Sequence, residues 1–269
     1  MRTIALLALA GAVVLPRAAS AQRQRDARWA LKGLQAGGCV DFLTPTTHAK
    51  KLLDRGFAPA SLADRRERFP RLFQVASGEG DSLSWTPGTY CWFAYDSAVV
   101  RGHKVDVDHG RQPVLVGYVA LAADGPGAGG DTLVAVSIFT NAGRLQSAAN
   151  DARLLVERVK FTRGPNPERE DPGEDLLYTV NHGKTTFQFE GHPGAPTDGR
   201  ALGRSLVARS FTGSLFYAQA PVGADSSFVP SGNARVLGEG DLQAAMAASP
   251  MRFMWTFVVG GDTEWVLSQ

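Results

Sequence analysis

The sequence predicts an α+β, mainly β fold: a mixed, mostly antiparallel sheet accompanied by about three helices. Three observations carry this. Residues 90–100, 114–122, 133–139, 185–190, 205–217 and 251–259 alternate in polarity or are rich in aromatic and β-branched side chains, the composition that suits a pleated surface. In the last of them Met251, Phe253, Trp255, Phe257 and Val259 share one face and Arg252, Met254, Thr256 and Val258 the other. Both faces are largely apolar, which places that strand centrally. Third, helical signals occur in only three places.

Taken in order, the chain opens with Met1-Arg2-Thr3, an apolar run from Ile4 to Leu15, and Pro16-Arg17-Ala18-Ala19-Ser20-Ala21. A positive start, a short apolar stretch and an A-x-A site are the parts of a secretory signal peptide, with cleavage expected after Ala21. The apolar run is too short for the roughly 20 residues of a membrane span. A soluble periplasmic or secreted protein is the expectation, with no transmembrane segment after cleavage. Of the 28 basic residues, Arg2 and Arg17 leave with the signal, so 26 remain against 26 acidic ones. A formally neutral chain lacks the basic footprint of a nucleic-acid binder.

The first helix is expected over 45–55, with Thr44 as cap, Pro45 in the first turn, Leu52 and Leu53 on the buried face and Gly56 as the stop. The second is expected over 141–159, capped by Asn141, because Leu145, Ala148, Ala152, Leu155 and Val159 recur at three- and four-residue steps. The third spans 242–248, with Asp241 as cap and Pro250 preventing continuation. Residues 163–175 hold three prolines, dense charge and no apolar core residue. They read as a surface connector within one domain covering 39–269, preceded by an N-terminal segment over 22–38.

Cys39 and Cys91 sit in a chain marked for an oxidising compartment, so a disulfide is expected, stabilising by about 4 kcal/mol in the chain-entropy model. Gly125-Pro126-Gly127-Ala128-Gly129-Gly130 matches a dinucleotide fingerprint in spacing only. That fingerprint needs a helix after it, and here a strand comes next, so the glycines read as a hairpin loop and no cofactor is expected. His103, Asp106, Asp108 and His109 form the densest set of metal-ligand types. On an extended strand the two histidines and the two aspartates point to opposite faces, which leaves a hairpin tip as the simpler reading. His48, His182 and His192 read as structural or solvated, and the G-x-S-x-G and H-E-x-x-H signatures are absent. Glu168, Glu170, Asp171, Glu174 and Asp175 lie in the connector, without the desolvation that general acid work needs.

The order of elements resembles the acetoacetate decarboxylase-like superfamily. It is carried by an entry strand at 40–43, the segment Leu52-Leu53-Asp54-Arg55-Gly56-Phe57-Ala58-Pro59, the strand at 133–140, the small-residue helix from Asn141 to Ala152, and its exit Leu154-Leu155-Val156-Glu157-Arg158-Val159-Lys160. Residues 238–267, with an alanine helix and a closing aromatic strand, are similar to the end of such chains. The resemblance implies a barrel-like or curved, double-psi-free sheet enclosing an apolar cavity, and a lysine that forms a Schiff base with a β-keto acid. Where the family has Gly-aromatic-Pro-Lys, this sequence reads Val156-Glu157-Arg158, and Lys160 lies nearby. The first functional expectation is therefore a cavity for a small apolar or amphipathic molecule, with Trp92, Phe187, Phe189 and Trp255 among its walls. The alternatives are a lyase acting on a keto acid through Lys160, and a metal-dependent enzyme using His103 and His109.

Overall fold

A computed structural model describes residues 27–76, 83–107, 110–165, 176–197, 205–210, 212–219, 226–247, 254–259 and 263–268. The proposed signal peptide, Asp108 and His109, and residues 166–175 of the connector lie outside them.

In chain order the elements are β1 (Ala27–Pro45), α1 (Thr46–Leu52), β2 (Ala58–Pro59), α2 (Pro70–Ala76), β3 (Trp85–Val100), β4 (His103–Val105), β5 (Val114–Leu121), β6 (Ala123–Asp124) and β7 (Thr132–Thr140). Next come α3 (Gly143–Asp151), β8 (Glu157–Arg158), β9 (Lys160–Pro165), β10 (Leu176–His182), β11 (Thr185–Thr197), β12 (Ser205–Arg209) and β13 (Leu215–Gln219). The remaining elements are β14 (Ser226–Gly238), α4 (Asp241–Ala247), β15 (Met254–Val259) and β16 (Thr263–Ser268).

The mainly β expectation holds. Strands β1, β3, β5, β7, β12, β13 and β16 pair in that sequence, and β16 returns to β1, so the sheet closes on itself. All of these pairings are antiparallel except β7 with β12, and β8 also joins β7 in parallel. Strand β1 divides its free edge: residues 27–31 pair with β16, and Gly37–Asp41 pair with β15. The change of partner coincides with a register shift between Leu34 and Ala36, where the strand bends. From β15 the sheet continues through β14, β11 and β10 to β9, and this arm folds back over the ring. Since β1 is unbroken from Ala27 to Pro45, residues 27–38 belong to the same strand as residues 39–45 and are no separate segment.

Period-two alternation in β3 serves two cores. Cys91, Phe93 and Tyr95 face a cluster with Trp29, Tyr118, Phe216, Trp265 and helices α2 and α3. Tyr90, Trp92 and Ala94 face a second cluster with Phe139, Phe161, Tyr178, Phe187 and Phe189, where the arm packs on the ring. Both faces of the strand are therefore buried, which explains its run of aromatic residues. Gly117 on β5 is required here, because a Cβ would collide with the Phe139 ring and the Cys91 carbonyl. A disulfide joins Cys39 to Cys91, directly opposite each other across β1 and β3.

Several boundaries differ from the sequence reading. Helix α1 starts after Pro45 without a side-chain cap and turns extended at Leu53, short of the expected 55. Helix α3 spans nine residues and not nineteen. It stops because Arg153 adopts a left-handed φ of 67° and the Leu154 and Arg153 amides donate to the carbonyls of Ala149 and Asn150. This is the Schellman closure, made by an arginine where sequence rules look for glycine. Asn141 does not cap the helix. Its side chain instead accepts from the Leu115 amide and donates to the Pro113 carbonyl, while the Thr140 hydroxyl takes the Ala142 amide. Residues 205–217 are two strands, turned at Gly213 (φ 88°). Helix α2 had no clear sequence signal. The glycines at 125–130 form the turn between β6 and β7, as expected. Arg163 to Pro165 complete β9, which pairs directly with β10.

Candidate functional site

Strand β8 is two residues long and sits at the edge of β7, Glu157 opposite Phe139 and Arg158 opposite Thr140. Its position is fixed from both sides. Gln146 of α3 donates to the Val156 carbonyl at 3.0 Å, and the Val159 amide donates to the Thr140 carbonyl at 3.0 Å. Alternation then decides which side chains enter. Val159 and Phe161 are buried, and Glu157 shares their face, whereas Arg158 and Lys160 point to solvent.

Glu157 meets a histidine. His182 ends β10, on the same face as Tyr178 and Val180, and its Nδ1 lies 3.3 Å from Glu157 Oε2. Its Nε2 lies 3.2 Å from the Tyr90 hydroxyl. The imidazole is enclosed edge-on by Phe139 (centroids 4.4 Å, 82°) and Phe187 (5.4 Å, 81°). Tyr90 stacks on Phe187 at 4.2 Å and touches Phe139 and Phe189. The result is a chain of three titratable groups running from a half-exposed carboxylate to a fully buried phenol, inside aromatic walls.

The electrostatics set the roles. The hydrogen bond from His182 holds the Glu157 carboxyl below its ordinary range, with burial opposing and the histidine's charge and the nearby Ser137 hydroxyl adding to the depression. Burial pushes the Tyr90 phenol well above its ordinary range, and the Glu157 charge adds to this. Tyr90 thus stays protonated. With Glu157 ionised, the contact requires a proton on His182 Nδ1, and in the tautomer that carries only that proton Nε2 accepts from the Tyr90 hydroxyl. When His182 takes a second proton, Nε2 becomes a donor and the Tyr90 hydrogen is released to point elsewhere. A proton can thus be relayed from solvent to the buried end of the chain.

Glu157 makes stability depend on pH. Its folded-state value is depressed, so its contribution to stability is complete above the unfolded value of about 4.3 and is lost as the pH falls through the lower folded one. Urea unfolding measured between about pH 3 and 6 should show this slope in the parent protein. Glu157→Gln should flatten it, and identical slopes would contradict the assignment.

Of the residues singled out from the sequence, Trp92, Phe187 and Phe189 come together in this cluster, all buried. Trp92 packs against Tyr178 (4.8 Å) and Phe189 (5.3 Å). Its indole nitrogen is buried without a hydrogen-bond partner among the described residues. Trp255 lies opposite Val40 in the sheet, and its side chain is outside the described residues. Lys160 is exposed on β9, opposite Asn181, turned away from Glu157. His103 begins β4 and is exposed, and among the described residues no three metal-ligand side chains gather. Glu157, His182 and Tyr90 were missed. The signal for His182 was present in the alternation Tyr178, Val180, His182, which carries the histidine inward.

No family model and no curated protein matches the sequence. The fold does match solved structures. The acetoacetate decarboxylase from Legionella pneumophila subsp. pneumophila str. Philadelphia 1 superposes with a TM-score of 0.53 at 8% identity, over 89% of this chain and 84% of that one. The chain has the acetoacetate decarboxylase fold. A second solved acetoacetate decarboxylase gives a TM-score of 0.50 at 10% identity, over 89% of this chain and 85% of the other. Within the acetoacetate decarboxylase fold, this chain's lysines are Lys32, Lys50, Lys51, Lys104, Lys160 and Lys184, and every one is exposed. A Schiff-base lysine must be neutral near pH 7, which takes burial or a cationic neighbour in a dry site. The polar groups inside the second aromatic cluster are those of the Glu157–His182–Tyr90 chain.

Proposed function

We propose that the chain is an exported enzyme of decarboxylase type that acts on a small keto acid by proton transfer, without a Schiff base. The observation that carries this reading is the buried Glu157–His182–Tyr90 chain inside the second aromatic cluster. Export is supported by the N-terminal apolar run and the Cys39–Cys91 bridge.

In this reading the apolar part of a β-keto acid lies among Phe139, Phe187 and Phe189, and the Trp92 indole N–H serves as a donor to its oxygens. The bond to the carboxylate breaks and its electron pair becomes the enol double bond. Tyr90 gives its proton to the carbonyl oxygen and regains one from protonated His182. The enol then takes up a proton at carbon as its hydroxyl proton leaves, so the net reaction consumes one proton and releases carbon dioxide. Glu157, open to solvent, reloads His182. Desolvation of the substrate carboxylate by the aromatic walls favours the loss of charge.

Carboxyl-labelled acetoacetate tests this. Labelled carbon dioxide should be released above the spontaneous rate, and release should fall at least about a hundredfold in His182→Ala, the loss usual for a proton-transfer group. Release should persist in Lys160→Ala and after borohydride treatment. Borohydride inactivation with a labelled lysine would place the chemistry on a Schiff base. No release would refute the enzyme and favour the alternative of a protein that binds a small apolar molecule, which native mass spectrometry would detect.

A further inference from the structure

A concavity lies away from the carboxylate–histidine–tyrosine chain, between the β3–β4 hairpin and helix α3. It has a volume of about 350 Å³ and is lined by Val100, Arg101, His103, Val105, Arg144, Ser147, Ala148 and Asp151. We infer that this groove is a binding site for a small monoanion with an apolar body.

The floor is apolar and buried: Val100, Val105 and Ala148 are exposed by 7%, 3% and 6%. Their side chains would welcome a short hydrocarbon segment, and the volume is in the range of small-molecule pockets. The rim is charged. Arg101 pairs with Asp151 at 3.0 Å, which cancels both. Arg144 remains, giving one donor to the Lys104 carbonyl at a long 3.4 Å out of the five its guanidinium carries. The groove therefore holds one positive charge in excess, on the side chain best shaped to clasp a carboxylate. His103 and the Ser147 hydroxyl add polar groups on either side.

The backbone gives a second, independent indication. Arg101 and Gly102 form the two-residue turn of the hairpin, with φ of 52° and 78°. Such turns favour asparagine, aspartate or glycine at the first position, and arginine there costs about 1 kcal/mol. Strain kept in a position that glycine, asparagine or aspartate would fill more easily points to use of the side chain. Here the arginine lines the groove and pairs with Asp151.

The test uses the full disulfide-bonded protein with hexanoate as the probe and hexanamide as its neutral counterpart. Hexanoate should bind saturably, shifting backbone amide signals of 100–105 and 143–151, and hexanamide should bind at least about tenfold more weakly. Arg144→Gln should weaken hexanoate about tenfold. Ser147→Trp, at an exposed rim position that leaves the fold intact, should block the groove and abolish binding of both. Glu157→Gln should leave binding unchanged. Equal affinity for the two probes, an unaltered affinity in Arg144→Gln, or shifts confined to β8–β10 would each overturn the proposal.

Discussion

Replacing Cys39 and Cys91 together with alanine lowers the unfolding free energy by about 4 kcal/mol. The bridge closes a loop with a sequence separation of 52, and removing it returns that loop's freedom to the unfolded chain. Both cysteines are buried beside Phe93 and Tyr95, so the alanines also leave unfilled volume. For a protein of this size the loss corresponds to a fall in Tm of roughly 8–16 °C. Calorimetry of the parent and the double variant measures it. An unchanged Tm would mean that the long β1–β3 pairing, which runs from Ala30 to Pro45 with one register shift, already holds these strands without the covalent link.

His182→Ala is expected to be costly in two ways at once. The substitution removes a ring packed edge-on against Phe139 and Phe187, and it strips Tyr90 of its hydrogen-bond partner at a position with no exposure. An unsatisfied buried hydroxyl costs about 1–3 kcal/mol before any cavity is counted. The second cost is electrostatic. Glu157 loses the hydrogen bond that depresses its carboxyl, so its titration should move up toward the ordinary carboxylate range. Carbon-detected NMR of the Glu157 carboxyl reads that movement directly. Tyr90→Phe discriminates further, because it keeps the ring stack and the Glu157–His182 contact while removing only the phenol proton. It should leave Glu157 titrating as before and stop carbon dioxide release. A Glu157 value unmoved in His182→Ala would show that some other group controls the carboxylate.

The strands were legible because their pattern is local. The alternation of Tyr90, Trp92 and Ala94 against Cys91, Phe93 and Tyr95 is written in consecutive residues. The helix over 141–159 was overread for an equally physical reason. Its apolar spacing continues past Ala152, but Arg153 takes a left-handed turn that no glycine announces, and Leu155 ends 63% exposed. The candidate site was harder. Its three members come from β3, β8 and β10, separated by 67 and 25 residues, counting from Tyr90 to Glu157 to His182. Only the pairing of β8 with β7, and the folding of the arm over the ring, bring them within hydrogen-bond reach. His182 looked like a turn residue because Gly183 comes directly after it, and that is also true: it is the last inward position before the turn.

The divided edge of β1 has a consequence for the order of folding. The first of the described strands takes as partners β15 and β16, the last two described, and Trp29 meets Trp265 edge-to-face at 5.1 Å. The ring cannot close until residues 263–268 are available. β1 can pair early only with β3, leaving its other edge open in the meantime. Such long-range closure makes folding slow and leaves an unpaired edge exposed to other chains while it waits. The Cys39–Cys91 bridge joins two long strands, β1 and β3, that are both made well before β15 and β16. It can form before the ring closes, turning the early β1–β3 pair into a permanent template on which the late strands assemble.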